Sequence, residues 1–129
     1  MTINPDVNPN QLRRVYNCAG IYHDTGSTAE AAMYISSPGG QENIKTFNDM
    51  AHANNAKDWA KLLDLCTVQK DAQPEWLSPY LFCALAHLGL GEKEKAREMM
   101  DYYDKHTGAP YDSDEHCSSM AEYLHSQLP

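Results

Sequence analysis

Apolar side chains recur along this chain at intervals of three and four, the spacing of one helix face. Leu12, Val15, Tyr16, Ala19, Ile21 and Tyr22 make the first such stripe, and Asn8-Pro9 before it suits an N-cap with proline in the first turn. Asp24-Thr25-Gly26 ends that segment. Ser27 and Glu30 have capping-box spacing and open a second helix, expected from Ala29 to Ile35 and stopped by the breaker Ser37-Pro38-Gly39-Gly40. A third helix is expected from about Gln41 to Asn54, with Ile44, Phe47, Met50 and Ala51 on one face, and Asn54-Asn55 as its turn. The fourth runs from about Ala56 to Gln69, the fifth from Pro74 or Glu75 to Leu88, and the sixth from about Glu92 to Lys105. The seventh starts near Asp112, which pairs with Glu115 at capping-box spacing, and reaches about Gln127. No segment alternates with a period of two for long enough to predict a strand. The pattern therefore predicts an all-α protein of about seven helices, with short turns that make neighbours antiparallel.

The helices come in pairs, and the pairs repeat. The third pair reads Tyr80-Leu-Phe-Cys-Ala84-Leu-Ala-His87-Leu-Gly-Leu-Gly91-Glu-Lys-Glu-Lys-Ala96. A small residue lies midway in its first helix, a glycine at the turn and an alanine five residues later. This resembles a tetratricopeptide repeat, in which small residues stand where two helices cross closely. The second pair aligns 34 residues earlier, with Leu62 under Ala96, Cys66 under Met100 and Pro74 under Gly108. The first aligns through Ala19, Tyr22, Gly26 and Ala31 at an offset of 31, with a shortened second helix. The second pair departs from the pattern. Met50 and Leu62 replace small residues and Lys57 replaces the turn glycine, which predicts a splayed hairpin.

The resemblance implies a right-handed superhelix of antiparallel helix pairs. Its repeats span about 12–40, 43–74 and 77–110, and a capping helix over about 112–127 covers the last apolar face. Residues 1–8 read as a loose tail before the helical domain of 9–129.

Charge changes the list of partners. Eighteen Asp plus Glu against ten Lys plus Arg leave a net charge of −8, which disfavours nucleic acid phosphates and anionic lipid heads. No apolar run is long enough to span a bilayer. The four cysteines, Cys18, Cys66, Cys83 and Cys117, form no C-x-x-C pair. Three of them sit among apolar helical neighbours, so buried free thiols and a reducing, cytoplasmic setting are expected. No metal motif, phosphate loop or nucleophile–base arrangement stands out, so neither a cofactor nor catalysis is expected.

What the resemblance implies is a concave groove lined by the first helix of each pair. Arg13, Tyr16, Asn17 and His23 from pair one, Phe47, Asn48 and Asn54 from pair two, and Leu81 and Phe82 from pair three fall on it. Asparagine carries a donor and an acceptor that can both hold an extended peptide backbone, and the aromatic rings supply flat apolar contact. Some members of the family clamp a partner's C-terminal carboxylate with clustered Lys, Arg and Asn. Here Tyr16, Gly20, Ser78 and Phe82 stand at those positions and only Asn48 fits, so that clamp is not expected. The expected function is non-catalytic docking of a peptide or protein. The alternative is self-association, because the fifth helix is apolar nearly all round and needs cover from the last helix, a second copy or a partner.

Overall fold

The computed structural model describes residues 1–3, 38–74, 76–106 and 115–129. The first two expected helices fall outside them, as do Arg13, Tyr16, Asn17, His23 and Cys18. Every regular element among the described residues is a helix: α1 Pro38–Asn55, α2 Trp59–Ala72, α3 Ser78–Gly89, α4 Lys93–His106 and α5 Glu115–Gln127.

Helix boundaries differ from expectation where local chemistry decides them. Pro38-Gly39-Gly40, expected as a breaker, forms the first turn of α1, and the second helix that it was expected to stop lies outside the described residues. Proline is tolerated there because the N–H it lacks would be unpaired at a helix start anyway. Helix α3 begins at Ser78, later than expected, because Trp76 is fully buried and its N–H donates to the Gln73 carbonyl at 3.0 Å, making a turn of the approach. Asp58 caps α2, its carboxylate accepting from the Lys61 N–H at 3.3 Å.

The two complete hairpins, α1–α2 and α3–α4, share one turn design. In the second, Gly91 has φ +79° and its N–H donates to Leu88, while the Glu92 N–H reaches back to His87 at 2.8 Å. In the first, Lys57 has φ 57° and donates to Asn54, while the Asp58 N–H reaches back to Ala53 at 2.9 Å. This is the Schellman arrangement, with a left-handed residue just past each helix end. Each of its bonds recurs 34 residues on, the offset read from the sequence.

Helix α3 is the centre of the core. All nine residues from Ser78 to Ala86 are buried, and α3 packs on α1, α2, α4 and α5. Met120 and Leu124 of α5 are fully buried, and α5 is one of the four helices packed on α3. The α3–α4 crossing, with Ala84 and Ala96 both fully buried, is more extensive than the α1–α2 crossing, which must accommodate Met50 and Leu62. Small residues let two helix backbones approach, and larger ones hold them apart. Between α2 and α3 the Trp59 ring lies so close to Gly89 that a Cβ there would overlap it.

Cys66 of α2 and Cys83 of α3 are not free thiols. They form a disulfide with S–S 2.03 Å and Cα–Cα 5.6 Å. Both are buried as expected of small apolar residues, but they face each other across the seam between hairpins, a juxtaposition that only the packing creates.

Candidate functional site

The C-terminal end of α1 projects two amides in succession. The turn occupies the Asn54 carbonyl with the Lys57 N–H at 3.0 Å and leaves the side chains of Asn54 and Asn55 to reach elsewhere. They reach residues 1–3. Asn55 Oδ1 accepts from the Ile3 N–H at 2.8 Å, and Asn55 Nδ2 donates to the Ile3 carbonyl at 2.6 Å. Asn54 Nδ2 donates to the Met1 carbonyl at 2.9 Å and to Asn55 Oδ1 at 3.2 Å, bracing its neighbour.

One side-chain amide therefore satisfies both backbone groups of one residue, as a neighbouring strand does in an antiparallel ladder. The Ile3 side chain is 4% exposed and belongs to the same apolar cluster as Phe47, Met50 and Ala51, whereas Met1 and Thr2 are exposed. Residues 1–3, expected within a loose tail, are thus fastened to the body at three backbone groups and one side chain.

Asn48 lies earlier on α1 and is half-buried. Its Oδ1 is buried without a hydrogen-bond partner. A buried acceptor of this kind is costly unless a donor meets it.

Other groove candidates have gone to the core. Phe47, Leu81 and Phe82 are fully buried, and the two phenylalanine rings meet edge to face with centroids 5.5 Å apart. The flat contact expected of them is made to each other, which corrects their assignment to a partner surface. Asn54 holds a single backbone carbonyl, that of Met1 in its own chain.

The sequence reading took Asn55 for a turn residue, although the same donor-and-acceptor argument applied to it as to Asn54. It also passed over Asn43 and Gln73, which exchange two amide hydrogen bonds at 3.2 and 3.0 Å and tie the start of α1 to the end of α2.

The remaining polar chemistry is dispersed. His87 Nδ1 and Lys95 Nζ both meet the Glu92 carboxylate, and together they hold it below the usual range. Lys45 with Asp49 and Arg97 with Glu94 are exposed ion pairs of the solvated faces. His125 Nε2 lies 3.1 Å from Asp104, and His106 Nδ1 lies 2.8 Å from the Tyr102 carbonyl. Tyr80, Tyr102 and His106 stack in sequence with centroids 4.0 Å apart, fastening α3 to α4. Burial and the Tyr102 hydroxyl push the Tyr80 phenol well above its ordinary value. Among the described residues no three His, Cys, Asp or Glu side chains converge where a metal could sit. No described helix is long and apolar enough to cross a membrane.

Compared with protein-family models, with curated proteins and with solved structures, the chain has no match in any of the three.

Proposed function

We propose that this chain is a non-catalytic interaction module, built from tetratricopeptide-like helix hairpins stacked into a superhelix, that receives an extended polypeptide segment by its backbone. One observation carries the reading: Asn55 pairs both backbone groups of Ile3 from the end of α1. The orphaned Asn48 acceptor, on the same helix, supports it: shut from solvent in the isolated chain, it gains a donor when a bound segment displaces what covers it. Affinity then comes from main-chain hydrogen bonds and selectivity from a side-chain pocket. The packing of α5 on α3 favours this reading over self-association, whose motive was an uncovered face of α3.

The cytoplasmic setting expected from free thiols loses its basis with the Cys66–Cys83 bond. A buried disulfide of this kind favours folding in an oxidising compartment.

A heptapeptide display library panned against the whole chain tests the reading. Selected peptides should bind in extended form, and Asn48→Ala should weaken them at least tenfold. A library that yields no binder, or binders indifferent to Asn48→Ala, overturns it.

A further inference from the structure

We infer that the Asn54–Asn55 clamp is a peptide subsite held in the isolated chain by its own residues 1–3, and that its external ligand is an extended segment with an aliphatic residue in the place of Ile3. The inference rests on the interaction-module reading and names the partner class and the competition at that same site.

The seated segment shows what the subsite reads. It engages the carbonyl of the first residue, the N–H and carbonyl of the third, and the third side chain. The side chains of Met1 and Thr2 stay exposed, so nothing in the clamp distinguishes them from other residues at those places. The third side chain is buried in the apolar cluster that also holds Phe47, Met50 and Ala51, which suits a compact aliphatic side chain. An aspartate there would bury an unpaired charge. Any extended segment with a fitting third residue can repeat all three hydrogen bonds.

Residues 1–3 hold the site with the advantage of an intramolecular ligand, which needs no free concentration to compete. A partner prevails by adding contacts beyond the clamp, one of them to the buried Asn48 acceptor on the same helix once its cover is displaced. The net charge of −8 favours partners whose flanking residues are basic.

The test uses the full chain and the acetylated, amidated tetrapeptide Met-Thr-Ile-Asn. Ile3→Asp should free the subsite, and the peptide should then bind at least tenfold more tightly than to the unaltered chain. Adding Asn55→Ala to Ile3→Asp should abolish that binding. Equal affinity for both chains, no binding to Ile3→Asp, or binding indifferent to Asn55→Ala overturns the inference. Should Ile3→Asp fail to fold, the unaltered chain decides: saturating peptide should shift the Asn55 side-chain amide resonances, and unmoved resonances overturn the inference. Library binders that depend on Asn48 yet never displace residues 1–3 would leave the interaction module standing and remove the competition.

Discussion

Lys57 shows what a single residue can cost. Its left-handed backbone, φ 57°, occupies the place that Gly91 fills in the following hairpin. A side chain in that conformation is unfavourable by about 1 kcal/mol, and glycine carries no such penalty. Lys57→Gly should therefore raise stability by up to about 1 kcal/mol, read as a higher thermal midpoint. A lower midpoint would mean that the lysine stem or charge contributes more than the backbone costs.

Tyr80 gives a second prediction at this scale. The folded chain keeps its phenol protonated above the ordinary value of 10.0, because burial and Tyr102 disfavour the phenolate. The unfolded chain ionises near that ordinary value. Stability from this group is thus intact below about pH 10 and falls as pH rises beyond it, until the folded phenol also ionises. Tyr80→Phe should flatten the alkaline limb of a melting-temperature profile taken from pH 8 to 12. An unchanged limb would place the alkaline loss elsewhere.

At the scale of elements, periodicity made helices legible and left their ends to tertiary context. The stripe of Ile44, Phe47, Met50 and Ala51 gave the face of α1, yet Pro38-Gly39-Gly40 belongs to its first turn. A proline–glycine cluster signals a boundary without saying on which side of it the helix lies. Trp76 delayed α3 by anchoring the approach, its ring sunk in the common apolar cluster. The second hairpin turn was readable, because Gly91 past a helix end is local chemistry, whereas the first was not: α1 runs through Asn54 and Asn55, α2 starts at Trp59 rather than Ala56, and a lysine takes the left-handed place. Helix crossings obey the same logic of size. Ala84 is fully buried on the most enclosed helix, so Ala84→Leu should destabilise the chain by about 1–3 kcal/mol in a denaturant titration. An unaltered midpoint would show that the crossing has room to spare.

For the molecule as a whole, the helical class and the buried place of α3 could be read from sequence. The rest depended on who faces whom. Phe47 and Phe82 lie 35 positions apart, and nothing in their spacing says that they meet each other rather than a ligand. Cys66 and Cys83 have the same difficulty, since they lie 17 positions apart and two helices bring them together. Residues 1–3 look like an unstructured start because their partners, Asn54 and Asn55, lie more than fifty positions away. A short segment can be fastened firmly when side-chain amides replace the missing strand partner.

The Cys66–Cys83 bond also has a bearing on cooperativity. Tandem helical arrays tend to fray from their ends, because each unit is held by its nearest neighbours alone. This bond crosses from the second helix of one hairpin to the first helix of the next, so neither can peel away while it is closed. Oxidised protein should melt as one block, and native-state hydrogen exchange should give amides of α1–α2 and α3–α4 a common opening energy. Reduction should lower stability by about 3 kcal/mol, as a loop of this length warrants, and let the two hairpins exchange on separate clocks. Identical exchange patterns before and after reduction would mean that apolar packing alone welds the seam.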